Sequence, residues 1–346
     1  QTNNRRKGGM FVIVHEEFVL WKHHEQSSSS KMPSRMDMVT QLVGLAQAWE
    51  GLPWLFPALC LAVGGVLGRY VIPWSSNGMA DELAGLVGRK MGRQYRTLAV
   101  NAGTNFPELL LMGYALLIGH WGGIGNPLGS NLANIYLVLL IAPLWIAVTG
   151  PSGGVGRLKS EFKLVKKHVI AALILWLFAT IAMRSLASDG EGQLQAANAG
   201  VSLALCAVGF IGFLFWARRD RRRNPEVYKG DDGFSSAGDF KRLLRMLLVL
   251  GISSAAINWI FLAVSELYSD SLSQLFGVRI FAYLHYFVGS LVTSLPELTV
   301  ATRALRRDTT PSANLALAGA SVSNATNLGI AMLGILLALL FQISGE

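Results

Sequence analysis

Eight stretches of this chain are each long and apolar enough to cross a bilayer as a helix, which takes about 20 residues. They lie at about 53–72, 96–118, 126–149, 168–187, 197–216, 243–265, 279–303 and 312–341. So much apolar helix must be hidden in a large core or placed in lipid. Charge decides between the two. Charged residues make up 15% of the chain, against roughly 25% in an ordinary soluble protein. A water-facing surface needs more charge than that. Hydrophobic residues make up 52%, too many for disorder over most of the length. No long stretch alternates with period two, so a membrane β-barrel is not expected. Cys60 and Cys206 both sit in apolar runs. They read as small core residues, and two cysteines make no disulfide scaffold. The expected fold class is an all-α polytopic membrane protein of about eight spans, in a plasma membrane or a bacterial inner membrane.

Residues 1–50 differ from the rest. They contain the low-complexity run Ser27–Ser30, and the apolar piece Met10–Leu20 is interrupted by His15, Glu16 and Glu17. No cleavage-site pattern follows, so this is not a signal peptide. The chain begins with Gln. The expectation is an extension or a fragment, with folding starting near Met36 or later. The expected organisation is a polar extension over 1–50, a first transmembrane half over 51–217, a basic cytoplasmic linker over 218–242 and a second half over 243–346.

The loop charges alternate. Arg89, Lys90 and Arg93 follow the first span. Arg157, Lys159, Lys163, Lys166 and Lys167 follow the third. The connection after the fifth carries Arg218, Arg219, Arg221, Arg222, Arg223, Lys229, Lys241 and Arg242, and the turn after the seventh carries Arg303, Arg306 and Arg307. The intervening connections at 119–125, 188–196 and 266–278 contain no Lys or Arg. Arg184 and Arg279 dissent, at the outer ends of spans four and seven, and are outnumbered. The positive-inside rule places the basic loops in the cytoplasm and both chain ends outside. The net charge of +9 is therefore a topology signal with some contact to anionic lipid, and nucleic acid is not an expected partner.

Inside the apolar runs a motif recurs. Thr104-Asn105-Phe106-Pro107-Glu108-Leu109 and Thr293-Ser294-Leu295-Pro296-Glu297-Leu298 share Thr-x-x-Pro-Glu-Leu. Each copy is followed by a second polar segment with the pattern Ser-Asn-x-x-Asn: Ser130-Asn131-Leu132-Ala133-Asn134 and Ser323-Asn324-Ala325-Thr326-Asn327. By the charge alternation, span two runs outward and span seven inward. The copies are therefore inverted, and inverted repeats with interrupted helices are the signature of secondary transporters, with the site near the midplane.

The residue types explain the pattern. Proline cannot donate a backbone hydrogen bond, so Pro107 frees the carbonyl of Gly103 and Pro296 that of Val292. In a membrane each freed carbonyl must face protein, water or an ion. Thr104 and Glu108 share a helix face, as do Thr293 and Glu297, Ser130 and Asn134, and Ser323 and Asn327. Four short helices then surround one cavity with hydroxyl, carboxylate and carbonyl oxygens. Hard cations such as Na⁺ and Ca²⁺ take that ligand set. Buried carboxylates demand such a partner, or a proton.

On these residues the chain resembles a known family. Thr293-Ser294-Leu295-Pro296-Glu297 and Gly129-Ser130-Asn131-Leu132-Ala133-Asn134 are similar to the α-repeat motifs of the calcium/cation antiporter superfamily, which includes the sodium/calcium exchangers. The resemblance covers about 96–149 and 279–341. It implies two inverted halves of five helices and exchange of Na⁺ for Ca²⁺ by alternating access. It implies the ligands Thr104, Glu108, Ser130 and Asn134 in the first repeat, and Thr293, Ser294, Glu297, Ser323 and Asn327 in the second, with the two glutamates central. It implies that the long first and sixth helices are the gating pair that slides across the core.

The chain departs from the family pattern at several positions. Asn105 and Phe106 stand where the family has Ser-Leu, which removes one hydroxyl ligand. Val292 replaces a Gly, and Ser321-Val322-Ser323 replaces a glycine before Ser-Asn. Asn327 stands where potassium-dependent members carry Asp, which argues against K⁺ co-transport. The family has ten helices where eight are counted here. The chain would then be a fragment or lack the last two peripheral helices.

Two other readings compete. One is a cation/proton antiporter on the same scaffold, with protons exchanging on the glutamates and His285, about three turns before Glu297, as a relay. The other is a non-transporting membrane scaffold or sensor. An enzyme is not expected. The sequence has no Gly-rich phosphate loop, no His-Glu-x-x-His and no nucleophile elbow. Every Asp falls in a loop by this reading, which disfavours an intramembrane aspartyl protease. No cofactor is expected, and the partners are lipid and small transported cations, Na⁺ and Ca²⁺ or H⁺.

Overall fold

The computed structural model describes residues 55–91, 96–149, 154–187, 194–223, 238–268, 280–306 and 310–343. The expectations for residues 1–50 lie outside the described residues. Those described form helices and short turns, with no strand among them. The elements in chain order are α1 (Leu55–Lys90), α2 (Arg96–Thr104), α3 (Phe106–Leu117), α4 (Trp121–Thr149) and α5 (Gly154–Leu186). They continue with α6 (Ala196–Arg223), α7 (Phe240–Leu267), α8 (280–293), α9 (Leu295–Arg306) and α10 (Thr310–Ile343).

Six helical runs are long and apolar enough to cross a membrane: Leu55–Lys90, Trp121–Thr149, Val165–Leu186, Ala196–Arg223, Phe240–Ser265 and Leu317–Phe341. The chain is thus an all-α integral membrane protein. The expected spans at 96–118 and 279–303 fall on the broken pairs α2–α3 and α8–α9, which carry the glutamates and are not among these six. The distribution of side chains is that of a molecule in lipid. Leu61, Leu140, Val148, Leu177, Phe215, Leu248 and Leu340 stand on the outside, while Asn126, Ser130, Asn131, Asn134, Asn324 and Asn327 are fully buried. A soluble monomer does not expose apolar faces on this scale.

Three helices run further than the apolar pattern indicated. The first span was expected to end near 72, yet α1 continues unbroken to Lys90. Its polar second half, including Ser75, Ser76, Asn77 and Glu82, is buried, because α1 packs along α2 and α7. Pro73 does not end it. The π-helical turn Leu67–Val71 immediately precedes the proline, and the helix runs on through it. A second π-helical stretch, Ile135–Ile141, precedes Pro143 in α4. The basic stretches 157–167 and 218–223 are helical rather than loops, on α5 and α6. Lys and Arg are good helix formers and reach outward from a helix end to water.

One apolar cluster joins α3, α4, α5, α6 and α10 through Met112, Leu128, Leu175, Cys206 and Leu328. Another joins α1, α3 and α7 through Met79, Leu111, Leu250 and Phe261. At the basic end α1 and α7 are also pinned by polar contacts. Glu82 accepts from the Asp239 amide (2.7 Å) and pairs with Arg242 (3.3 Å). Arg89 donates to the Gly238 carbonyl, where a positive φ of 72° suits glycine alone.

Candidate functional site

The two Pro-Glu motifs break their helices at equivalent residues. α2 ends at Thr104 and α3 begins at Phe106, with Asn105 between them at φ −88°, ψ 2°. The 280–293 helix ends at Thr293 and α9 begins at Leu295, with Ser294 between them at φ −87°, ψ 0°. The proline two residues later forces this in both copies, since its ring crowds the turn before it. Glu108 and Glu297 then sit in the first turns of α3 and α9. A carboxylate at a helix N-terminus meets free backbone N–H groups, which favours the charge there.

The carbonyl that Pro107 frees does not open into the cavity. Ser76 Oγ of α1 donates to Gly103 O (3.2 Å). Gly103 lies against α1 so closely that a Cβ would come within 2.6 Å of the Ala80 Cα.

The second polar segment reaches the site because α4 crosses α8 backbone to backbone. A Cβ on Gly129 would fall 1.9 Å from the Tyr286 carbonyl oxygen. That contact places Ser130 between the two halves. Ser130 Oγ donates to Glu108 Oε1 (3.1 Å) and lies 3.3 Å from Thr293 Oγ1. Thr293 Oγ1 also accepts from Asn126 Nδ2 (3.5 Å). Deeper along α4, Asn134 Nδ2 donates to Ser323 Oγ (2.9 Å) and Asn324 Oδ1 (3.1 Å) of α10. Ser323 Oγ in turn donates to Asn105 Oδ1 (2.8 Å).

Thr104 and Glu297 share a small cavity of about 30 Å³, walled by Asn101, Val138, Val300, Ala301, Gly319 and Ala320. That is room for a water or two, or for a small cation. Glu297 also feels the Glu108 charge, and Thr104 and Ser323 face its carboxyl. Neither gives it a hydrogen bond of proper geometry, since both Glu297 oxygens are without a partner within the protein. The same holds for Glu108 Oε2, Ser294 Oγ, Asn134 Oδ1 and both amide atoms of Asn327.

All nine candidate residues are therefore buried. Hydrogen bonds join Glu108, Ser130 and Thr293 in one chain, and Asn134 and Ser323 in another. Thr104 and Glu297 meet at the cavity. Ser294 and Asn327 are buried on the same elements with no partner. Three participants were not singled out: Asn105, Asn126 and Asn324. Asn324 stands inside the Ser-Asn-x-x-Asn pattern, and its amide also holds the Asn131 and Ala172 carbonyls (3.3 and 3.1 Å). Asn105 was noted only as a lost hydroxyl, and Asn126 precedes the motif. A buried Asn is the shared signal.

His285 is fully buried between Phe261 and Phe281, with ring centroids at 5.0 and 4.6 Å. Neither ring nitrogen has a hydrogen-bond partner in the protein, so no described bond leads from it to a carboxylate. It reads as a packed aromatic-like residue.

A separate polar cluster lies near the basic ends of α5 and α6. His168 Nδ1 is 2.8 Å from Ser321 Oγ, and His168 Nε2 is 3.5 Å from Asp220 Oδ2. Asp220 was expected in a loop, but it is on the extended part of α6 and buried. The order Asp-His-Ser invites comparison with a hydrolytic triad. The Ser321 hydroxyl, however, is wholly buried and donates to the Ala318 carbonyl (2.8 Å). It presents no nucleophile to a substrate, and the cluster ties α5 and α6 to α10.

Chemically, the arrangement offers many neutral oxygens and two carboxylates in the buried interior. Among the described residues no Lys or Arg pairs with either carboxylate. No protein-family model, curated protein or solved structure matches this chain.

Proposed function

We propose that this protein is a secondary antiporter that exchanges Na⁺ for Ca²⁺ by alternating access, at a site between two inverted repeats. The observation that carries the reading is the unpaired carboxylate pair. Glu108 and Glu297 are buried, and three of their four oxygens have no partner within the protein. Burying a carboxylate costs several kcal/mol unless an opposite charge or a proton neutralises it. A cation drawn from either side of the membrane supplies that charge. The matched backbone at Asn105 and Ser294 supports a duplicated origin of the two halves. The alternating basic loops support their opposite orientation across eight spans. The contacts joining α1 to α7 support movement of these helices as a pair.

Reconstitution tests the ion choice. In proteoliposomes, Ca²⁺ uptake is expected to follow an imposed Na⁺ gradient and not a pH gradient. Na⁺ is expected to compete with Ca²⁺ for binding. His285→Ala is expected to leave exchange largely unchanged, since neither ring nitrogen has a hydrogen-bond partner in the protein. Transport that is fully active without Na⁺ and tracks the pH gradient would assign a proton antiporter instead. Flux under neither gradient would leave a scaffold or sensor.

Topology is tested separately, in a background lacking Cys60 and Cys206. Cysteines introduced within 157–167 and 218–241 are expected to react with an impermeant reagent from one side, and those within 188–196 from the other. Reaction of both sets from the same side removes the inverted arrangement.

A further inference from the structure

α5 and α6 enclose a groove of about 440 Å³. Its walls are apolar: Ile170, Ile174 and Phe178 of α5, and Val208, Gly212 and Phe213 of α6. Ile170, Ile174 and Val208 stand exposed, so the groove opens to the surrounding lipid. Gly212 makes room in it, since a Cβ there would meet nothing within 4 Å. One end differs. Lys167 and Trp216 complete the lining there, and Trp216 is fixed by ring contacts to His168 (5.0 Å) and Phe213 (5.4 Å). Arg219 lies one turn beyond Trp216 on the same face of α6, and it lines a second recess with Arg218, Arg222 and Arg223. Lys166 stands exposed beside Lys167. Asp220, the one acid of α6, is buried and turned to His168 (3.5 Å). The mouth of the groove is therefore positive, and the rest of its lining carries no charge.

We infer that this groove binds one anionic phospholipid, with an acyl chain between α5 and α6 and the headgroup phosphate against Lys167 and Arg219. The dimensions suit it. From Lys167 to Phe178 the groove runs about 16 Å at about 1.5 Å per residue, half of a hydrocarbon core about 30 Å thick. It is one leaflet deep, and it ends where an acyl chain ends. Trp216 stands at its charged end, the depth at which Trp meets lipid headgroups. Apolar walls alone select no lipid, because lipid tails are as apolar as the groove. The charge at the mouth makes the selection, since each Lys or Arg near the surface favours an anionic headgroup. None of the candidate cation ligands lines the groove, and the site does not rest on the transport reading. It does border the same helix. A Cβ on Gly209, in the groove floor, would come 2.6 Å from Leu328 Cδ1 of α10. A bound lipid braces α5 and α6 where they pack on α10.

The test uses the full chain in detergent, titrated with phosphatidylglycerol or with phosphatidylcholine of the same acyl chains. Native mass spectrometry counts the retained lipid, and thermal unfolding reads its effect. Wild type is expected to retain one phosphatidylglycerol and to be stabilised by it more than by phosphatidylcholine. Lys167→Gln is expected to weaken that binding about fivefold, and Lys167→Gln with Arg219→Gln about 25-fold, the shares of one and of two cations near an anionic headgroup. Gly212→Phe is expected to abolish retention by filling the groove. Gly200→Phe is the control. It lies on α6 outside the groove, and a Cβ there also meets nothing within 4 Å. Its retention is expected to match wild type, and the two glycine variants are expected to unfold at the same temperature without added lipid. Equal retention of the two lipids by wild type overturns the inference. So does a Gly212→Phe protein that keeps its phosphatidylglycerol, since only diffuse attraction to the basic helix ends would then remain. Unchanged binding in the doubly neutralised variant overturns the assignment of the headgroup to Lys167 and Arg219.

Discussion

Glu108→Gln and Glu297→Gln are each expected to abolish the proposed transport while leaving a folded protein. Glutamine keeps the size of the side chain and an oxygen that can accept the Ser130 hydrogen bond to Glu108. Only the charge is lost. Two unit charges about 4 Å apart at an effective dielectric of about 20 attract by about 4 kcal/mol, and a divalent ion about doubles that. Each tenfold in affinity is about 1.4 kcal/mol, so losing one carboxylate weakens Ca²⁺ binding by at least about a hundredfold. Salt does not restore it, because a buried site is little screened. Stability without cation holds or rises, since a buried charge without a protein partner is removed. The check pairs Ca²⁺ flux in proteoliposomes with size-exclusion profiles of the same preparations. Wild-type flux in both variants would place the site elsewhere.

The second large effect is on folding. Gly129→Ala puts a methyl group 1.9 Å from the Tyr286 carbonyl oxygen and 2.7 Å from its carbon. Both are backbone atoms, so no side chain can swing away. α4 and α8 must separate, at a cost of about 3 kcal/mol or more. The separation also carries Ser130 away from Thr293 and Glu108. The expected result is a strongly lowered unfolding temperature together with lost cation binding. Gly113→Ala is the control. A Cβ there meets nothing within 4 Å, and alanine in a helix is better than glycine by about 0.5–1 kcal/mol. Equal stability of the two variants would mean that the α4–α8 crossing is not the contact that assembles the site.

Much of this was legible in the order of residues. Apolar runs of bilayer length with so little charge admit helices in lipid and little else. Pro107 and Pro296 mark the helix breaks through a missing N–H and a crowding ring, although Pro73 and Pro143 are carried through inside α1 and α4 behind π-helical turns. The recurrence of Thr-x-x-Pro-Glu-Leu and Ser-Asn-x-x-Asn picked out the buried polar groups, since Glu and Asn inside apolar runs are too costly to occur twice in order by chance.

Hydropathy ended the first span near residue 72. The helix continues to Lys90 because Ser76 and Glu82 find partners on α2 and at the start of α7, and a composition average cannot see partners. The freed carbonyl of Gly103 was assigned to protein, water or ion without a choice. It meets Ser76, a residue 27 positions away that only the packing of α1 on α2 brings near. Asn105 was counted as a lost hydroxyl, and in three dimensions it is a tie to Ser323, 218 residues distant.

The sequence by itself determined the membrane class, the recurring Pro-Glu motifs and the polar residue types that are buried. Those follow from forces that act over one turn or from the average composition of a segment. Only the tertiary structure decided which oxygens are spent on hydrogen bonds and which remain open. That depends on distances of about 3 Å between residues far apart in the chain, such as Ser130 and Thr293. Pattern constrains what must be buried. Packing alone decides what each buried group then touches.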